Sequence, residues 1–168
     1  MRRPLFTLCL TAMMGVLLTV SKEVMAFLPN FEPVTLLVML FTLVFGGAAL
    51  GAVGVFLALE GLLYGFGLWW VMYLYIWPLL ALLTLLLRRF GWDRAWQWAL
   101  AAGVFGLGFG ALCSLAYLPI GGPKMMLTWT LAGLPFDAIH AGGNFLLMLV
   151  LYRPLRRVLE RLRRTGGA

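Results

Sequence analysis

The last apolar run of the chain, GLPFDAIHAGGNFLLMLVLY, carries Asp137, His140 and Asn144 at spacings of three and four. In a helix these spacings put all three side chains on one face, and Trp129 and Gly133 extend the same stripe toward the helix start. A carboxylate, an imidazole and an amide aligned this way could bind a ligand or pass a proton. Ionisable groups are costly inside an apolar segment, so the stripe is expected to face a cavity, a partner or a ligand. Asn144 offers both a donor and an acceptor, as a heteroaromatic ligand requires. His140 is the only histidine. With no second histidine or nearby thiol to complete a set, no metal site is expected.

A second buried charge is predicted at Glu60, in FLALEGLLYGFGLWW. A lone carboxylate in hydrocarbon protonates or finds a partner. Its expected partners are Lys22, His140 or a ligand amine. Aromatic residues crowd the same end of the chain's apolar segments: Trp69, Trp70, Tyr73, Tyr75 and Trp77, with Tyr117 and Trp129 beside the last turn. Most fit an interfacial belt. Trp69, Tyr73 and Trp129 are the rings expected to stack on a flat ligand, alongside Asp137, His140, Asn144 and Glu60.

The elements that must position these residues are membrane helices. Of 168 residues, 63% are hydrophobic and 11% charged, with a mean hydropathy of +0.98. Soluble domains are roughly 45–50% apolar and about 25% charged. The reading is an all-α integral membrane protein, one domain over residues 1–168. Six spans are expected, over 5–28, 32–46, 48–67, 70–87, 95–118 and 127–151, followed by a basic cytoplasmic tail over 152–168. Pro29 and Pro33 punctuate the first turn, and Pro119, Gly121, Gly122 and Pro123 form the last outer loop. The start, MRRP before an apolar run, also resembles a signal peptide, but the run is longer than a typical h-region and its retention gives a self-consistent topology.

Charge orients the spans. All Lys and Arg residues except Lys22 and Lys124 fall on the side of the two termini, so both termini are expected in the cytoplasm of a prokaryotic plasma membrane. This distribution also accounts for the net charge of +7 without nucleic acid. Cys9 and Cys113 lie in apolar stretches and read as small core residues, with no disulfide framework. No P-loop of the form G-x-x-x-x-G-K-[ST] is present, so the chain is not expected to hydrolyse ATP. No enzyme activity and no cofactor are expected.

Thr7, Thr11, Gly15 and Thr19 recur every four residues along the first span and make a smooth ridge where another helix can approach, either a helix packed inside this chain or one of a partner. Gly103, Gly106, Gly108 and Gly110 smooth the fifth span, where internal packing is the expected use. The tail RPLRRVLERLRRTGGA aligns Leu155, Val158, Leu159 and Leu162. It reads as a snorkelling helix end or a surface for a cytoplasmic partner.

Together these features resemble the S components of energy-coupling factor (ECF) transporters. The segments that carry the likeness are LPNFEPVTLLVMLFTLVFG (28–46), LEGLLYGFGLWW (59–70) and GLPFDAIHAGGNF (133–145). The resemblance covers nearly the whole chain. It implies a subunit that captures a vitamin-like micronutrient from outside, then associates with a membrane T component and two ATPases and topples to release substrate inside. It also implies that Thr11, Ala12 and Gly15 stand where the family's Ala-x-x-x-Ala-like motif meets the T component. The outer half is net acidic, so a neutral or cationic substrate is expected over an anionic one. Thiamine, a pyridoxine-like compound, a queuosine precursor and cobalamin all fit that description. The alternative is a stand-alone proton-coupled transporter or channel using Asp137 and His140.

Overall fold

A computed structural model describes residues 2–28 and 31–166. Pro29 lies outside the described residues, as do residues 167–168 of the tail, and the side chains of Arg2 and Arg3 are likewise not described. The described residues form helices α1 (Arg2–Val24), α2 (Val34–Phe45), α3 (Ala48–Tyr64), α4 (Leu68–Arg89), α5 (Ala95–Leu107) and α6 (Phe109–Ser114), a 3₁₀ turn (Leu115–Tyr117) and α7 (Leu118–Gly166). Three stretches are long and apolar enough to cross a membrane: Pro4–Val24, Leu68–Arg89 and Phe109–Thr165. Val34–Phe45, Ala48–Tyr64 and Ala95–Leu107 are shorter apolar helices. At 1.5 Å per residue α2 rises only about 18 Å.

Helix α2 is the centre of the bundle. Its sequence VTLLVMLFTLVF is apolar on every side, and nearly all of it is buried. A helix that is hydrophobic all round must be surrounded. Phe41 of α2, Phe56 of α3, Trp77 of α4, Trp98 of α5 and Met148 of α7 all contribute to one core. The carbonyls at the end of α2 are taken by two cations: Arg88 donates to Leu43 O at 3.1 Å and Arg163 to Val44 O at 3.1 Å. Cations there also suit the negative end of the helix dipole. Gly46, at φ 61°, then turns the chain sharply into α3.

Small residues set the helix spacings. A Cβ on Gly15 would lie 2.5 Å from Val55 and 2.9 Å from the Ala52 carbonyl, and one on Gly51 would lie 2.8 Å from Thr11. The ridge of α1 is therefore used inside the chain, against α3. Thr11 and Gly15 are committed to that contact, and Ala12 faces outward. On α5, a Cβ at Gly106 would lie 2.9 Å from the Ala141 N and the His140 carbonyl of α7. This is the internal packing expected of the α5 glycines.

The helix ends depart from the expected spans in two places. The fifth span is broken after Leu107, and the chain restarts as α6 at Phe109. The expected outer loop around Pro119 to Pro123 is a kink instead. Gly121 and Gly122 alone leave helical geometry, Gly122 at φ 69°, a conformation open to glycine because it has no Cβ. α7 then continues through the basic segment to Gly166. Leu155 and Leu159 pack against the core, while Val158 and Leu162 are exposed. Of the two cysteines, Cys9 departs from the expected core position and is exposed, while Cys113 is half-buried and packs against the core.

Candidate functional site

The stripe on α7 is buried. Asp137, His140 and Asn144 are 5%, 4% and 2% exposed. The glycines of α5 and α6 bring that face of α7 close enough for direct contact. The restart at α6 leaves backbone N–H groups without partners in their own helix, and Asp137 answers one of them. Gly110 N donates to Asp137 Oδ1 at 2.9 Å. A side chain at Gly110 would land on that carboxylate. Asn144 Nδ2 donates to Thr35 Oγ1 of α2 at 3.2 Å. The ring of Phe109 meets His140 edge to face, with centroids 4.8 Å apart.

These contacts leave the stripe incompletely satisfied. Asp137 Oδ2, His140 Nε2 and Asn144 Oδ1 are buried without a hydrogen-bond partner. Buried polar atoms are paired in most proteins, and each unpaired one costs about 1–3 kcal/mol. Three on one helix face, with one from each expected residue, mark a surface able to offer an acceptor, an imidazole nitrogen and an amide oxygen to a polar guest.

Glu60 of α3 is fully buried (0% exposed), and Lys22 of α1 pairs with it. Of the partners expected for Glu60, the chain supplies Lys22. Lys22 also lies 3.7 Å from Glu23 and sits over the Tyr64 ring at 4.9 Å, while the Tyr64 hydroxyl donates to Glu23. Glu60 Oε1 still lacks a partner. Glu32, in the loop before α2, stands in the field of this pair.

Aromatic rings connect the two polar regions. Tyr64 meets Trp69 at 6.5 Å between centroids, Trp69 meets Tyr73 at 5.4 Å, and Tyr73 meets Phe109 at 6.5 Å. Phe109 in turn abuts His140. Trp69 and Tyr73 thus stand between the Glu60 corner and the α7 stripe, each half-buried. Trp129 does not join them. It is 50% exposed and stacks on Tyr117, with centroids 4.4 Å apart and planes 9° from parallel. Trp77, grouped in sequence with the interfacial rings, is fully buried, and its Nε1 is unpaired.

Phe109, Thr35, Gly110 and Glu32 were not among the expected site residues. Phe109 and Gly110 belong to a helix restart that a run of glycines does not announce, and Thr35 is 109 positions away from its partner. No group of three or more His, Cys, Asp or Glu residues able to hold a metal is found among the described residues. No family model matches the chain, and no curated protein and no solved structure matches it.

Proposed function

We propose that this chain is the substrate-capture subunit, or S component, of an ECF-type micronutrient importer. In this reading six helices cross the membrane, the short ones shielded by their neighbours, and both termini are cytoplasmic. The ligand enters from the side of Glu60 and rests among Trp69, Tyr73, His140 and Asn144. A T component and two ATPases supply the energy for its release inside. The observation that carries the reading is the set of buried, unpaired polar atoms on Glu60, Asp137, His140 and Asn144, joined by a ladder of rings.

The chemistry selects a neutral or cationic heteroaromatic compound. Asn144 Oδ1 can accept from a ring N–H or amino group, and His140 Nε2 can exchange a hydrogen bond with a ring heteroatom. Glu60 Oε1 is the acceptor left for an amine after Lys22 has taken the other oxygen. An anionic ligand would find Lys22 already engaged with two carboxylates.

Native mass spectrometry of the full-length protein, released gently from detergent after expression in rich medium, tests the proposal. A retained small-molecule mass that disappears in His140→Ala, while the variant stays monodisperse, supports capture at this site. A chain that retains nothing, and whose thermal unfolding no neutral or cationic vitamin shifts, overturns it.

A further inference from the structure

The opposite end of the molecule carries two adjoining features that substrate capture leaves unused. The first is an open recess of about 360 Å³ between the α4–α5 connection and α7, lined by Asp93, Arg94, Tyr152, Arg153, Arg156, Arg157 and Glu160. Within it, Arg156 is held by Asp93, by Glu160 at 2.9 Å and by the Tyr152 hydroxyl. Both acids of the recess are therefore answered by a single arginine. Arg94, Arg153 and Arg157 are exposed and make no ion pair among the described residues. The recess is net positive, with three guanidinium groups available.

The second feature is a groove of about 300 Å³ along α4 and α5, lined by Leu83, Leu87, Trp92, Leu100, Ala101 and Val104 among others. Its walls are almost wholly apolar. The two features meet at three consecutive residues, since Trp92 lines the groove while Asp93 and Arg94 line the recess. Exposed Phe90 and Trp96 flank the same connection, as rings do where a helix end reaches the headgroup level. A bidentate guanidinium cluster matches a phosphate. Basic pockets at helix ends on the cytoplasmic side are suited to anionic headgroups.

We infer that this corner is a specific site for one anionic phospholipid, its phosphate among Arg94, Arg153 and Arg157 and one acyl chain in the groove between α4 and α5. The groove separates this occupant from a free anion, which would use the recess alone. The inference does not rest on the capture reading, because it concerns other residues and a different ligand.

The test is native mass spectrometry of the full chain in detergent, titrated with equal mixtures of dioleoyl phosphatidylglycerol and dioleoyl phosphatidylcholine. One phosphatidylglycerol should be retained with a preference of roughly tenfold or more. Arg153→Ala/Arg157→Ala, both at exposed positions, should abolish the preference. Ala101→Phe should reduce retention of the dioleoyl lipid while sparing dihexanoyl phosphatidylglycerol, whose short chains do not need the groove. Equal retention of the two headgroups overturns the inference, and so does a preference that survives in the double arginine variant. Full displacement of the lipid by inorganic phosphate at equal concentration would show a site for free anions only.

Discussion

The Lys22–Glu60 corner and the α7 stripe are both buried and polar, but the chain answers them differently. At the corner, a full opposite charge from α1 reaches the carboxylate on α3. Along α7, three polar side chains receive one backbone N–H, one hydroxyl and one ring edge. The first arrangement joins two helices whose smooth faces already pack. The second holds its side chains in place while leaving one polar atom free on each. That contrast separates a carboxylate tied by an ion pair, with one oxygen left over, from side chains held only by neutral or single-hydrogen-bond partners, and each substitution below acts on one side of it.

The largest effect is expected at the corner. Lys22→Met would leave Glu60 as a buried charge without its cation, and breaking such a pair costs about 3–5 kcal/mol. The double variant Lys22→Met/Glu60→Leu should recover most of that loss, because it buries no charge. Thermal unfolding in detergent measures both. If the single variant is as stable as the parent, the pair is not what holds α1 to α3. If the double variant is no better than the single one, the loss comes from packing.

The seat of the stripe comes next. Gly106→Leu would push α5 away from the backbone of α7 at Ala141 and His140, and overpacking of this kind costs roughly 1–3 kcal/mol. The same substitution should also weaken ligand retention, since it moves His140 and Asn144 together. At Gly54, inside α3 where an added Cβ meets nothing within 4 Å, substitution by leucine should leave retention unchanged and should not lower the melting temperature, because glycine is the poorer helix former. Equal behaviour at the two glycines would show that close approach of α5 and α7 does not position the stripe.

How much of this was legible in the sequence follows from what spacing can encode. The stripe was legible because offsets of three and four define a helix face whatever surrounds it. The membrane-like, all-helical character followed from apolar runs, and the helix ends fell within a few residues of their expected places in most cases. What the α1 ridge would meet was not legible. Periodicity describes a smooth face without naming its neighbour, and here α3 packs against Thr11 and Gly15. Trp129 shares the phase of the stripe but lies two turns before Asp137, where α7 is no longer covered, so the same face is exposed there. The break between α5 and α6 was hidden for a similar reason. Glycines that permit close packing and glycines that end a helix look alike until the partner that answers the freed N–H, here Asp137, is known.

Asp137 itself sits between the two classes. Asp137→Asn keeps an oxygen able to accept from Gly110 N but removes the charge. Hydrogen bonds to charged groups are worth about 1 kcal/mol more than neutral ones. A drop of that size in stability, with ligand retention intact, would assign the residue to the restart of α6. Loss of retention at unchanged stability would assign it to the ligand, and would sharpen the contrast by moving all three stripe residues to one side.

The smallest change in stability is expected at Asn144, and it bears most directly on the comparison. Asn144→Leu removes an amide that has one partner, Thr35, and one buried oxygen without any. The leucine loses the hydrogen bond but also removes the unpaired acceptor. The two terms oppose one another, so the melting temperature should move by only the equivalent of about 1 kcal/mol or less. Ligand affinity should fall by about 10–100-fold, the equivalent of one or two lost hydrogen bonds. Isothermal titration with the ligand identified by mass spectrometry, beside thermal unfolding of the empty protein, reads the two quantities separately. A large loss of stability with affinity preserved would make Asn144 a residue kept for joining α7 to α2, and the unpaired oxygen would then have no bearing on binding.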